Sequence, residues 1–281
     1  MIEIKDLSFS YGREKLFSQL GLSLRPGNIC GLLGKNGAGK TTLLKLLAGL
    51  LFPQTGETRI MGICPGDRSP GFLQELCFLP EEFGLHPVSP RKYERLYAPF
   101  YPRFNSQLFS HYLAEFELDP NQNLDKCSYG QKKKFLLAFG LSTDCKLILL
   151  DEPTNNLDIP SKRQFRKALA SVLTQDRLIV ISTHQARDLE NLIDPVVILD
   201  EGQIIFNHFM EEISNRLCIR LQSDPPGPDE VFYSEKTMEG YLVVAENTKH
   251  EETRLDLELL FNTVIQSRER LSEAFHKEVE K

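Results

Sequence analysis

Residues 34–42 read Gly-Lys-Asn-Gly-Ala-Gly-Lys-Thr-Thr, a glycine-rich run closing on a lysine and two hydroxyls that fits G-x-x-x-x-G-K-[ST]. Glycine at 34, 37 and 39 lets the backbone curl until its own N–H groups face an anion. The run Gly34, Asn36, Gly37, Ala38, Gly39, Lys40, Thr41 and Thr42 is therefore assigned to the phosphates of a nucleotide, with Lys40 reaching the terminal ones and Thr41 offering a hydroxyl to Mg²⁺. A second stretch, Leu147-Ile-Leu-Leu-Asp-Glu, is an apolar run that ends in two acids. There Asp151 is placed to hold magnesium through water, and Glu152 to orient or deprotonate an attacking water. Two acids after an apolar run mean little alone. Lying 111 residues beyond Lys40, at the strand end where open sheets bind ligands, they gain weight.

These side chains need a scaffold, and the pattern supplies one. Alternation predicts strands over residues 2–9 and 17–24, a buried strand over 29–33, and a strand over 57–61 after the turn at 53–56. The phosphate loop opens a helix carrying Leu43, Leu44, Leu46, Leu47 and Leu50. From about 82 to 128 the chain changes character, with Pro87, Pro90, Pro99 and Pro102, the aromatics Tyr93, Tyr97, Phe100, Tyr101 and Phe104, and a helical pattern through Phe109, Tyr112, Leu113 and Phe116. This reads as an inserted, mainly helical subdomain. Its aromatics serve either as core or as a docking surface. Beyond 130, helices over 135–141, 161–173 and 186–193 alternate with strands over 147–150, 178–182 and 196–199, the mark of a parallel sheet with helical crossovers. After 208 come strand-like runs at 217–221 and 241–245, a turn at the Asp-Pro-Pro-Gly-Pro stretch 224–228, and apolar residues at helical spacing from Leu257 to Phe275.

Composition narrows the partners. The net charge of −6 is concentrated in residues 209–281, which hold 9 basic and 16 acidic side chains; an acidic tail suits neither DNA nor anionic lipid. Lys132, Lys133 and Lys134 at the start of a helix read as a solvated face, so nucleic acid is not expected. No apolar run approaches the ~20 residues of a membrane-spanning helix, and the first residues alternate like a strand rather than a signal peptide. A soluble protein that begins at its fold is expected. Six dispersed cysteines without a C-x-x-C pair point to reduced thiols in a cytoplasm.

Taken in order, the motifs over residues 1 to about 208 resemble those of the ATP-binding cassette family. Cys127-Ser-Tyr-Gly-Gln is similar to the family signature, Thr154-Asn-Asn-Leu-Asp to its D-loop, and His184, 32 residues past Glu152, stands where the switch histidine would. Tyr11, in Phe9-Ser-Tyr-Gly, matches the aromatic that stacks on adenine. The resemblance implies an α/β P-loop NTPase core, a parallel sheet with helices on both faces, spanning residues 1–208. It carries an N-terminal antiparallel β-subdomain and an inserted helical subdomain at about 82–130, and residues 209–281 form a small α+β extension.

The resemblance further implies ATP and Mg²⁺ as ligands, hydrolysis of the former, and a second copy of the chain docked head to tail. In that pair Ser128 and Gly130 of one copy cap the ATP held by Lys40 of the other, His184 reports the γ-phosphate, and Asp158 links the two sites. A separate transmembrane permease, holding the chain on the inner face of the cell membrane, would complete an exporter resembling those for antibiotics and lantibiotics. Two motifs depart from the pattern. Cys127 and Tyr129 replace the signature's leucine and first glycine, and Glu81, in Leu79-Pro-Glu-Glu, stands where the family has a glutamine linking magnesium, water and permease. The alternative is a soluble cassette protein acting without a permease, in assembly of another complex. A regulator without hydrolysis would lack Glu152 or His184, and both are present.

Overall fold

The computed structural model describes residues 1–190, 192–227, 230–249, 251, 253 and 255–276. The chain opens with β1 (Ile2–Tyr11) and β2 (Glu14–Leu24), an antiparallel pair, then enters β3 (Asn28–Leu33), the phosphate loop and α1 (Lys40–Leu47), before β4 (Thr55–Ile60) returns to the free edge of β1. α1 stops short of Leu50, which lies half exposed beyond it. The reason is Gly49, whose φ of 65° ends the helix and whose missing side chain leaves room for the Pro65 carbonyl, 2.2 Å from where a Cβ would sit.

α2 (Pro70–Leu73) and β5 (Leu76–Leu79) lead to the inserted helices α3 (Pro90–Tyr97) and α4 (Ser106–Glu115). α5 (Tyr129–Ser142) then returns to the core. It begins in a capping box, Ser128 accepting from the Gln131 N–H while the Gln131 side chain accepts from the Ser128 N–H. β6 (Leu147–Asp151), α6 (Ile159–Val172), β7 (Leu178–Thr183), β8 (Val196–Asp200) and β9 (Gln203–His208) complete a six-stranded sheet in the order β5-β6-β7-β3-β8-β9.

Five strands are parallel, and β9 folds back antiparallel on β8. The sequence pattern missed that edge strand, which is only half buried and so lacks an unbroken apolar run. The helix expected over 186–193 is instead a short turn, Ala186–Leu189. The chain must rejoin the sheet, where the Asp194 N–H donates to the Ile29 carbonyl and Ile193 fills the space opened by Gly31.

Strand alternation sorts the core into two layers. Cys30, Leu32, Leu147, Leu149, Leu178, Val180, Val197 and Leu199 face α1 and the N-terminal sheet, while Ile29, Leu33, Ile148, Leu150, Ile179, Ile181, Val196 and Ile198 face α5, α6 and the C-terminal extension. The extension consists of α7 (Met210–Arg216), a sheet of β10 (Leu217–Gln222), β11 (Tyr233–Thr237) and β12 (Gly240–Glu246), and α8 (Leu257–Gln266) with α9 (Arg268–His276). The helical run to Phe275 is thus two helices broken at Ser267. Leu257, Leu260, Val264, Leu271 and Phe275 join the second core layer, so the extension packs on its own cassette. Of the turn read at 224–228, Pro228 lies outside the described residues; 224–227 hold no helix or strand.

The inserted aromatics divide. Tyr93 packs edge-on against Phe135 and Phe139, each 5.0 Å away, and Tyr101 and Phe104 also meet Phe139, whereas Phe100 is 65% exposed. Most of the cluster is core. Phe109, fully buried among these rings, is its anchor: Phe109→Ala is expected to destabilise the protein by about 4 kcal/mol, read as a lowered urea midpoint.

Candidate functional site

β3 runs in the middle of the sheet, so its C-terminal end delivers the phosphate loop to the crevice between neighbouring strands, where β6 and β7 bring their own terminal residues. Gly39 has φ 105°, and a Cβ there would lie 2.8 Å from the Phe17 ring, so only glycine fits. Lys40, 6% exposed, folds back to donate to the Gly34 carbonyl at 2.7 Å and lies 3.6 Å from Glu152. Burial pulls its ammonium below the usual lysine range, against the attraction of Glu152 and Asp151. An arriving polyphosphate adds counter-charge to that of Glu152.

Both oxygens of Asp151 are engaged, Oδ1 accepting from Ser182 Oγ at 2.5 Å and Oδ2 from Thr41 Oγ1 at 2.8 Å. Glu152 sits at φ 45°, in the left-handed region, a conformation costing about 1–3 kcal/mol that persists only where the surrounding structure over-determines it. Its N–H donates to the carbonyl and hydroxyl of Ser182. Its Oε1 meets His184 Nδ1 at 2.9 Å, while Oε2 is buried without a hydrogen-bond partner. An unpartnered buried carboxylate oxygen is costly unless something else binds it, and it points to a water or cation that arrives with the substrate.

The residues fit Mg²⁺. Among the described residues no group of three or more His, Cys, Asp or Glu could by itself hold a metal ion. This suits an ion that takes one or two protein ligands and fills the rest of its shell with phosphate and water. Thr41 donates its proton to Asp151, leaving its oxygen lone pairs outward, so Thr41 would bind directly and Asp151 from the second shell. Glu81 also reaches the cleft, with Oε1 accepting from Asn155 Nδ2 at 2.8 Å.

These groups surround a cleft of about 530 Å³ lined by Tyr11, Asn36, Gly37, Gly39, Lys40, Thr41, Thr42, Glu81, Glu152 and His184. Tyr11 is half exposed, its hydroxyl 3.2 Å from Thr42 Oγ1 and its ring edge-on to Phe9. Of the residues singled out from sequence, Gly34 and Ala38 shape the loop from behind and Asp151 stands behind Thr41. Ser128, Gly130 and Asp158 do not line the cleft; Ser128 and Asp158 cap α5 and α6. Sequence reasoning missed Glu14, Leu16 and Lys35 at the cleft wall and Ser182 and Asn155 behind the acids. Lys35 lies inside the phosphate-loop motif as one of its unspecified positions and Asn155 inside the Thr154-Asn-Asn-Leu-Asp stretch; Glu14, Leu16 and Ser182 carry no local signal.

A family model described as ABC transporter matches residues 17–155. The SkfA peptide export ATP-binding protein SkfE of Bacillus subtilis is 30% identical over 77% of this chain and 92% of its own length. The chain belongs to the ABC transporter ATP-binding proteins. The Nod factor export ATP-binding protein I of Rhizobium etli is 29% identical over 73% of this chain; the match spans 66% of that relative, just under two thirds. A solved structure, the dimeric bacterial ABC transporter cassette MJ0796, superposes with a TM-score of 0.66 at 23% identity, covering 75% of this chain and 99% of that one. The P-loop fold expected from the motifs is therefore that of the family.

Proposed function

We propose that the chain binds MgATP in this cleft and hydrolyses it to energise a separate membrane permease of the export type. The observation that carries the chemistry is Glu152: held on one oxygen by His184, free on the other, and set beside Lys40 at the end of β6. Tyr11 takes the adenine face. The loop N–H groups and Lys40 hold the phosphates and offset the charge that develops as the γ-phosphoryl group departs. Glu152 Oε2 orients the attacking water and accepts its proton, and His184 keeps the carboxylate turned toward the γ-phosphate. Thr41 and, through water, Asp151, with Glu81 at the rim, would hold Mg²⁺, which would supply positive charge to neutralise the phosphates. Phosphate release from ATP, measured with and without Mg²⁺, tests this reading; no Mg²⁺-dependent release from protein purified with its membrane partner would defeat it.

Ser128 and Gly130, at the N-terminus of α5, and Asp158 do not line their own cleft. This supports a head-to-tail pair in which they meet the partner copy's nucleotide, the α5 amides complementing γ-phosphate charge. The relatives named above are export proteins, which favours export as the direction of transport. Among the described residues no helix is long and apolar enough to cross a membrane, so attachment to the membrane's inner face falls to the permease. A groove of about 510 Å³ lined by Leu50, Pro70, Leu73, Phe78 and the exposed Phe100 lies between core and inserted helices, at the strand that leads to Glu81. It suits an apolar permease segment. Phe100→Asp is expected to lower co-purification of the permease at least tenfold while the isolated chain still binds ATP; equal recovery would remove this surface from the account.

A further inference from the structure

The two departures from the family motifs touch each other. Tyr129, in the signature, donates its hydroxyl hydrogen to the main-chain carbonyl of Glu81 at 2.6 Å. Its ring stacks on Phe83, centroids 5.1 Å apart and planes within 21°. A glycine at 129 could make neither contact. One turn further along α5, Lys133, expected from sequence on a solvated face, is instead 3% exposed, because its Nζ turns inward to donate to the main-chain carbonyl of Glu152. Burial lowers this ammonium to about 8, against the attraction of Glu81, Glu152 and Asp151. The same short stretch of helix is thus fastened to both loops that carry the cleft's acids. Asn155 closes the ring: it follows Glu152 by three residues and holds the Glu81 carboxylate at 2.8 Å.

We propose that Tyr129 and Lys133 are positioning residues for hydrolysis, tying the N-terminal half of α5 to Glu81 and Glu152 so that the placement of the helix sets the placement of both acids. Resting on the reading of the cleft as an MgATP site, this gives α5 two tasks. Its N-terminus meets the partner copy's nucleotide, and its side chains hold the acids of its own site, so docking of the second copy is relayed to both acids. Glu81 is an anion where the family pattern has a neutral amide, and its position matters more for that reason: a carboxylate displaced toward the γ-phosphate opposes the substrate, whereas one held at the rim can face Mg²⁺.

The test is a cycle of four full-length proteins, wild type, Tyr129→Phe, Glu81→Ala and the double variant, assayed by phosphate release at saturating ATP across an Mg²⁺ titration, with ATP affinity measured separately by a fluorescent nucleotide. Tyr129→Phe keeps the ring on Phe83 and removes only the hydroxyl. It is expected to lower kcat about fivefold, the worth of one hydrogen bond, to raise the half-saturating Mg²⁺ concentration, and to leave ATP affinity within about twofold. In the Glu81→Ala background, with no carboxylate left to position, the same change is expected to cost less than about twofold. Lys133→Met is expected to lower kcat more than tenfold, with partial rescue by Lys133→Arg. Equal losses from Tyr129→Phe in both backgrounds, or a loss of ATP affinity instead of kcat, overturn the proposal. Absence of turnover in the wild type would remove the MgATP reading itself; turnover with an additive cycle removes only the tie.

Discussion

Glu152→Gln is expected to lower steady-state ATP turnover about a thousandfold, within the 10²–10⁴ range for removing a positioned general base, while ATP still binds. The amide preserves shape and can still meet His184, but it cannot accept the water's proton. On the proposed reading, in which ATP binding closes a head-to-tail pair and hydrolysis reopens it, the variant should also accumulate as a doubled-mass species in MgATP, detected by light scattering. The charge change has a second effect. Lys40 loses a neighbour at 3.6 Å, which leaves its ammonium freer for phosphate and favours tighter ATP binding. Turnover within tenfold of wild type would show that the base lies elsewhere.

The next largest effect is expected at Lys40. Lys40→Ala removes a charge-assisted contact to the terminal phosphates, worth about 2–3 kcal/mol, and should weaken ATP binding about 30- to 150-fold, measured by isothermal calorimetry. ADP, which lacks the γ-phosphate, should lose less than ATP. The buried position of Lys40 also leaves Glu152 without its cation in this variant, so turnover should fall more steeply than affinity. Unchanged ATP affinity would contradict the phosphate-loop assignment.

How much of this was legible in the sequence follows the range of the signals. Residues 34–42 carry their geometry locally: glycines where the backbone turns left-handed or meets Phe17, a lysine at the start of α1, a hydroxyl one residue on. The shape of that loop was readable to the residue. The acids were readable because two carboxyl groups closing an apolar run mark the polar end of a buried strand, and only β7 separates β6 from β3 in the sheet. What the sequence hid are contacts between distant loops. Nothing in local spacing joins Tyr129 to Glu81, 48 residues apart, or Asn155 to Glu81; both follow from how α5 and the loop after β6 settle beside β5.

The errors in the fold have a similar origin. Ala186, Leu189 and Ile193 have helical spacing, yet each finds its burial from a short turn and a chain drawn back to Ile29. Leu50 continues the leucine series of α1, but Gly49 has already ended the helix. β9 and β11 are half-exposed or polar-faced and leave weak alternation. Most aromatics of the inserted subdomain were equally compatible with core and surface until the positions of Phe135 and Phe139 were known. Only Phe100 kept the outward role.

The central claim, an ATPase that drives a membrane partner, is tested most directly by isolating the Glu152→Gln protein from native membranes in MgATP and identifying what co-elutes. The account predicts a multi-span membrane protein in fixed ratio to the cassette, with recovery dependent on ATP. Recovery of ribosomes or soluble assembly factors, with no membrane protein, would contradict it.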